Sequence, residues 1–83
     1  MFLAKIYVTL KPAVNDPQGK TVLTGLQSLG FSETKDVRIV KFLEITVDCS
    51  SIEKAKISVG QMCSQLLANP IIENYTFEVE ETH

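Results

Sequence analysis

Six segments of alternating character follow one another along the chain and predict an α+β fold. Their order is strand, helix, strand, strand, helix, strand. Apolar and polar residues alternate in the strand segments, whereas apolar residues recur at helical spacing in the two helix segments. This order is the βαββαβ, or ferredoxin-like, motif. We therefore expect a two-layer sandwich in which a four-stranded antiparallel sheet carries both helices on one face.

The first strand and the loop behind it are the clearest local pattern. Alternation with a period of two sets Ala4, Ile6, Val8 and Leu10 against Lys5, Tyr7, Thr9 and Lys11. Pro12 ends the backbone pairing because proline has no amide hydrogen to donate. Asp16 followed by Pro17 then indicates the N-cap and the first residue of a helix.

The first helix is predicted from Pro17 to Leu29. Its apolar positions recur at helical spacing: Val22, Leu23, Leu26 and Leu29. Gly30 follows as the stop signal. Gly25 weakens the helix interior, and we expect it to allow close packing on the sheet.

A hairpin is predicted next. Its apolar residues all fall on odd positions: Val37, Ile39, Leu43, Ile45 and Val47. Facing residues of a hairpin share one side of the sheet, so the loop must have an odd number of residues. A three-residue loop at Val40–Phe42 satisfies this, with Ile39 opposite Leu43. A two-residue loop would place Ile39 opposite Glu44 instead.

The second helix and the last strand complete the order. Ser50 and Glu53 fit a capping box at the helix start. One face of this helix is apolar: Ile52, Ala55, Val59, Met62, Cys63, Leu66 and Leu67. Asn69–Pro70 ends it, because the residue before a proline avoids helical geometry. Residues 74–80 then alternate as a strand, and Thr82 and His83 are expected to form a frayed tail.

Composition indicates one domain, residues 1–83, and excludes several classes of function. A net charge of −2 and a pI near 5.2 argue against a nucleic-acid-binding protein, which would carry a basic surface. No apolar run reaches the ~18 residues of a membrane span, and the N-terminus lacks the features of a signal peptide. The cytoplasm is therefore the expected location.

Residues that could carry chemistry are few. His83 is the single histidine and stands at the last position, which argues against most acid–base schemes. Cys49 and Cys63 match no metal or redox spacing. Residues 19–21, Gly-Lys-Thr, lack the upstream glycine of a phosphate-binding loop, although an anion site at the helix start stays open. We predict no catalytic, cofactor-binding or metal-binding residue.

Candidate contact residues lie on the sheet face away from the helices and at the loops beside it: Tyr7, Lys11, Pro12, Arg38, Val40 and Phe42. Exposed apolar residues at the predicted hairpin tip, Val40 and Phe42, are typical of a protein contact. The alternative is that these two side chains fold back over the edge of their own domain.

Several segments, in order, resemble the PurS family. They are YVTLKPAVNDPQG at Tyr7–Gly19, Asp36-Val37-Arg38 leading into residues 41–44, and Met62-Cys63 followed by residues 66–70. Family members often carry glycine near position 40, where this chain has valine. PurS is the small non-catalytic subunit of bacterial and archaeal phosphoribosylformylglycinamidine synthase, which acts in the fourth step of purine synthesis.

The resemblance implies an assembly with two larger subunits, a synthetase (PurL-type) and a glutaminase (PurQ-type). The assembly converts formylglycinamide ribonucleotide, ATP and glutamine to the amidine. This chain would self-associate as a homodimer or homotetramer, bridge its partners and support ammonia transfer. No cofactor is expected on this chain, whereas ATP and magnesium are expected on the synthetase.

Other classes fit less well. A small phosphatase of similar topology would carry a Gly-x-x-Gly-Arg anion loop, which is absent. An RNA-recognition domain needs basic charge and aromatic residues on its central strands, and Tyr7 alone does not meet that requirement. A regulatory small-molecule-binding module of ferredoxin-like topology stays open as the alternative.

Overall fold

The structure is a computed structural model, and it describes residues 1–82. It contains three strands, β1 (Phe2–Leu10), β2 (Lys41–Val47) and β3 (Glu73–Glu81), and two α-helices, α1 (Pro17–Ser28) and α2 (Ile52–Met62). A π-helical turn, Cys63–Leu67, continues α2. The predicted tail residue His83 lies outside the described residues. No helix within residues 1–82 is long and apolar enough to cross a membrane.

The sheet is antiparallel, and β1 is its central strand, in the order β2-β1-β3. Ile6 faces Leu43 on one side and Phe77 on the other. The even residues of β1 point towards α2 and are the most deeply buried: Ala4 0%, Ile6 0% and Val8 1% exposed. Ala55, Val59 and Cys63 cover them from the helix layer. One face of the sheet therefore carries the core of the molecule.

The prediction of a fourth strand, joined to β2 by a hairpin, is wrong. Residues 34–40 form no strand, and Lys41 and Phe42, expected in the turn, belong to β2, where they face Val8 and Tyr7. A three-residue hairpin loop needs a residue in the left-handed region, which a β-branched side chain strongly disfavours. Among the described residues only Gly30 has a positive φ, 100°. Val40 therefore does not reverse the chain.

The prediction that both helices cover the sheet holds for α2 and is wrong for α1. α1 makes no extensive packing contact with any strand or with α2, and Gly19 is its one buried residue. Val22 and Leu29 remain 42% and 77% exposed. Apart from the adjacent residues and the backbone of α1 itself, no atom would lie within 4 Å of a Cβ at Gly25, so the expected close approach to the sheet does not occur.

The chain consequently divides into two parts with separate names. The body is the sheet with α2, and the arm is residues 17–40, which comprise α1 and the segment that returns from it. The molecule measures 52 × 30 × 14 Å, and its radius of gyration is 16.5 Å. A compact chain of this length would have a radius of gyration of about 12 Å. The arm thus extends beyond the body.

The start of α2 differs from its prediction by one residue. Ser51, not Ser50, is the N-cap, and its hydroxyl accepts a hydrogen bond from the Lys54 amide at 3.3 Å. The end of the helix agrees with the position of Pro70. Ala68, whose amide donates to the Cys63 carbonyl at 3.0 Å, has extended backbone and closes the π-helical turn.

Candidate functional site

Asp16, at the junction of arm and body, is a buried carboxylate that joins the two ends of the arm. Its Oδ1 accepts a hydrogen bond from the Gly19 amide at 2.9 Å, and its Oδ2 accepts one from the Ile39 amide at 2.8 Å. Asp16 is 4% exposed. The amides of Ile39 and Gly19 hold the pKa of this carboxyl below its ordinary value. Asp16 therefore caps α1, as predicted, and also fixes the returning segment, which the sequence did not indicate.

Arg38 binds the same junction from the other side. Its Nη1 donates to the Val14 carbonyl at 3.1 Å, and its Nη2 donates to the Lys11 carbonyl at 3.1 Å. A planar guanidinium can hold two such acceptors at once. Arg38 thus connects the loop after β1 with the segment before β2. The predicted contact residues Lys11, Pro12, Arg38 and Val40 are brought together here.

An open cavity of about 340 Å³ lies at this junction. It is lined by Thr9, Leu10, Pro12, Asp36, Arg38, Ile39 and Val40. Arg38, whose guanidinium binds the two carbonyl groups described above, is thus one of the residues around the cavity.

The other two predicted contact residues form an aromatic pair on the outer face of the sheet, opposite α2. The ring centroids of Tyr7 and Phe42 are 4.9 Å apart, and the ring planes meet at 33°. Tyr7 is 40% and Phe42 49% exposed. Phe42 therefore lies within β2 and not at a hairpin tip. On the same face, Lys5 Nζ lies 3.1 Å from Glu80 Oε1. This uncovered face presents an aromatic centre with charged residues around it.

Groups that could perform acid–base or metal chemistry do not converge in the described part of the chain. Within residues 1–82 no cluster of three histidine, cysteine, aspartate or glutamate residues could hold a metal ion. Burial raises the pKa of the Cys63 thiol, which disfavours the nucleophilic thiolate. At the start of α1, the Gly19 amide already binds Asp16. An anion would meet that carboxylate, so the geometry does not favour the anion site left open above.

Glu73 is a further residue that the sequence did not single out. Its Oε1 accepts a hydrogen bond from the Asn69 amide at 2.6 Å, and its Oε2 lies 3.4 Å from Lys41 Nζ. The Asn69 amide, with Lys41 as the second contributor, holds the pKa of the Glu73 carboxyl below its ordinary value. These contacts join the starts of β2 and β3 across more than thirty residues, a distance over which no local pattern could have indicated them.

The family model that matches this chain is PurS, described as phosphoribosylformylglycinamidine (FGAM) synthase, over residues 3–81. Two curated relatives are phosphoribosylformylglycinamidine synthase subunits PurS. The Synechocystis sp. protein is 48% identical over 75 residues, which cover 90% of this chain and 75% of the relative. The Bacillus subtilis protein is 46% identical over 81 residues, or 98% of this chain and 95% of the relative.

Solved structures agree with these matches. Methanocaldococcus jannaschii PurS is 37% identical, with a TM-score of 0.89 over 100% of both chains, so the likeness includes the arm. Bacillus subtilis PurS is 46% identical and gives a TM-score of 0.88 over 98% of this chain and 100% of that chain. A chain of the Thermotoga maritima PurLQS structure is 26% identical and gives a TM-score of 0.73. The match covers 96% of this chain and 99% of that chain. Sequence and fold agree from residue 3 to residue 81, and the chain belongs to the PurS family of FGAM synthase subunits.

Proposed function

We propose that this chain is the small, non-catalytic subunit of a multi-subunit FGAM synthase, in which it bridges the ATP-dependent synthetase and the glutaminase. The observation that carries the proposal is the family match over residues 3–81. The likeness to a chain of Thermotoga maritima PurLQS supports it, because that structure holds a relative together with other subunits of the enzyme. Purine biosynthesis in the cytoplasm, and self-association into a homodimer or homotetramer, belong to the same proposal.

The chemistry of the reaction is assigned to the partners. Release of ammonia from glutamine requires an activated nucleophile, and use of ATP requires groups that bind phosphate and magnesium. The described residues offer a poor candidate for the first role, since the Cys63 thiol is fully buried and its pKa is raised. We therefore place ATP and magnesium on the synthetase (PurL-type) subunit, glutamine on the glutaminase (PurQ-type) subunit, and no cofactor on this chain.

The two surfaces described above are the candidate contacts with these partners. The outer sheet face offers Tyr7 and Phe42, which are half-exposed and lie side by side. Aromatic residues of this kind are common at the centres of protein interfaces. The junction offers Lys11, Pro12, Arg38 and Val40 on a backbone held by Asp16 and Arg38. A rigid surface favours binding, because less conformational entropy is lost on association.

Reconstitution with purified synthetase and glutaminase tests the bridging role. FGAM formation is measured with glutamine and, separately, with ammonia, each with and without this chain. We expect this chain to be required for glutamine-dependent synthesis and not for ammonia-dependent synthesis by the synthetase. Equal glutamine-dependent rates without this chain would refute the bridging role.

A regulatory small-molecule-binding module is the second candidate, and the junction cavity favours it. Its volume of about 340 Å³ falls at the lower end of the range of about 300–1,000 Å³ for ligand pockets. Binding there should raise the unfolding temperature of the isolated chain in the presence of purine nucleotides or amino acids. Under the leading proposal, none of these compounds changes that temperature.

A further inference from the structure

The outer face of the sheet has no second layer over it in the part of the chain that the structure describes. It consists of the odd residues of β1 and the even residues of β2 and β3 that they face. α2 covers the opposite face, and α1 makes no extensive packing contact with any strand. An antiparallel sheet can face water on one side, but such a face is then polar. The half-exposed pair of Tyr7 and Phe42 is the feature that contact with water alone does not explain.

The charged residues of this face are not balanced. Lys5 on β1 stands between Glu44 on β2 and Glu78 on β3. Its Nζ lies 3.1 Å from the carboxylate of a third acid, Glu80. Within residues 1–82 neither Glu44 nor Glu78 forms an ion pair, and both are exposed. The row beside the aromatic pair therefore holds two carboxylates without a counter-ion of their own.

The net charge of the chain is concentrated on the same face. The chain has eight lysine and arginine residues and ten aspartate and glutamate residues. The outer face holds one of the basic residues, Lys5, and three of the acidic residues, Glu44, Glu78 and Glu80. The rest of the chain thus has seven residues of each sign, and the net charge of −2 belongs to this face. A surface dominated by one sign of charge attracts partners of the other sign.

The spacing of Phe42 and Glu44 suits an arginine side chain. The two residues lie on the same side of β2 and are two positions apart, which corresponds to about 7 Å along a strand. A cation binds an aromatic ring when it lies within about 6 Å of the ring centroid. The planar guanidinium of arginine can stack on a ring and also form two parallel hydrogen bonds with a carboxylate. One arginine can therefore contact the ring of Phe42 and the carboxylate of Glu44 together.

We propose that the outer face of the sheet docks a basic surface of one of the two larger subunits, and that an arginine of this surface lies on the Tyr7–Phe42 pair and binds Glu44. Tyr7 lies beside Phe42 and extends the apolar surface available to the aliphatic part of that arginine. Glu78, on the far side of Lys5, binds a second cation of the same surface. This assignment rests on the proposed function and adds to it the chemistry of the partner.

Other occupants of this face are disfavoured by its charge. Two copies of the chain stacked outer face to outer face would bring six acidic residues together with two basic residues. Like charges placed opposite each other weaken an interface. Nucleic acids and anionic membranes are repelled for the same reason. An uncharged apolar partner would remove Glu44 and Glu78 from water without pairing them, which is costly. A basic protein surface satisfies both the carboxylates and the aromatic rings.

Two double variants with the same net charge test the site. Glu44→Gln/Glu78→Gln removes the two unpaired carboxylates and preserves the size of the side chains. Glu33→Gln/Glu53→Gln, the matched control, makes the same change at exposed positions of the arm and of α2. Isothermal titration calorimetry gives the Kd of the full chain and of each variant for the synthetase and, separately, for the glutaminase. Each titration is made at an ionic strength of about 0.1 M and again at about 1 M, between which the Debye length falls from about 10 Å to about 3 Å.

We expect the chain to bind at least one of the two subunits. At the lower ionic strength, Glu44→Gln/Glu78→Gln should raise that Kd by about tenfold or more, because opposite charges across an interface are lost. The control should stay within about twofold of the unchanged chain, since its charges lie away from the interface. At the higher ionic strength the difference between the sheet variant and the unchanged chain should shrink. Phe42→Leu, which keeps an apolar side chain and removes the ring, should raise the Kd by about threefold or more.

Three results would overturn the assignment. Equal weakening in the two double variants would show an attraction to the net charge of the chain and not to this face. Unchanged or tighter binding of Glu44→Gln/Glu78→Gln would show that the partner surface is not basic. An unchanged Kd for Phe42→Leu would exclude the arginine on the aromatic pair. Binding that ignores all of these changes leaves the bridging role intact, whereas a chain that binds neither subunit refutes the proposed function itself.

Discussion

Gly19→Ala tests the contact between the start of α1 and the returning segment of the arm. A Cβ at Gly19 would overlap the Val37 carbonyl oxygen and lie 3.0 Å from Asp16 Oδ2. Alanine favours helix by about 1 kcal/mol over glycine, but forcing extra volume into a filled site costs about 1–3 kcal/mol. We expect the unfavourable contribution to prevail, because the overlapping atom belongs to the backbone and cannot rotate away. The variant should therefore lose up to about 2 kcal/mol of unfolding free energy, the difference between these two contributions.

Gly60→Ala is the matched control. It makes the same chemical change within α2, where the nearest atoms are Phe77 Cζ at 3.8 Å and Cε1 at 3.9 Å. These are ordinary van der Waals distances, so helix propensity should prevail and add about 0.5–1 kcal/mol. Since 1 kcal/mol shifts the unfolding temperature of a domain of this size by about 4–8 °C, the unfolding temperature of Gly19→Ala should lie several degrees below that of Gly60→Ala, and up to about 20 °C below it.

Thermal unfolding of both variants at one fixed protein concentration measures the difference. The concentration must be fixed because association makes the unfolding temperature depend on it. Equal shifts in Gly19→Ala and Gly60→Ala would refute the reasoning, since they would show that Gly19 is not confined by Val37. A lower unfolding temperature in Gly19→Ala alone would confirm that the start of α1 is held to residues 37–39.

Three further predictions follow from the surfaces and buried groups. Phe42→Glu should lower the rate of glutamine-dependent FGAM synthesis at least tenfold without unfolding the chain. Ile57→Glu, at a site 64% exposed on α2, should leave this rate unchanged. Equal rates in the two variants would remove Phe42 from the interface. The pKa of the Asp16 carboxyl is lower in the folded chain than in the unfolded chain, where it is about 3.9. Its ionised form therefore stabilises the fold above a pH of about 3.9, and this stabilisation is lost as the pH falls through the folded-state pKa. Asp16→Asn should therefore be less stable at pH 7 and show a shallower loss in acid unfolding; an unchanged pH profile would contradict this. A thiol reagent should label Cys49 in the native chain and Cys63, 0% exposed, only after unfolding; rapid native labelling of both would contradict the buried position.

Strand and helix positions could be predicted from the sequence because their signals are local. Alternation from Ala4 to Leu10 identified β1, and Asp16–Pro17 identified the start of α1. The prediction of a hairpin failed because the odd positions of the apolar residues restrict which residues may face each other. They say nothing about whether the chain reverses. Val40, a β-branched residue at a position where a three-residue loop needs the left-handed conformation, was the one indication that the turn would not form.

The contacts at the junction could be predicted only in part. Asp16 was identified as a helix cap, because its partner Gly19 is three residues away. Its second bond, to Ile39, spans 23 residues, and the bonds of Arg38 span 24 and 27. No pattern in a single sequence indicates pairs so far apart. The resemblance to PurS identified the family, whereas the position of the arm required the structure.

The central position of β1 also determines the order in which the chain can fold as it is synthesised. β1 is synthesised before the other two strands, yet Phe2 pairs with Val47 and with Glu81, which are synthesised much later. The ribosome will have added most of the chain before either neighbour is available, and β1 exposes a strongly apolar face during that interval. Contacts so distant in sequence slow folding, because the intervening loop must close before they form. Nascent chains that stall before β3 has emerged from the ribosome are therefore the forms most prone to aggregation and most dependent on chaperones.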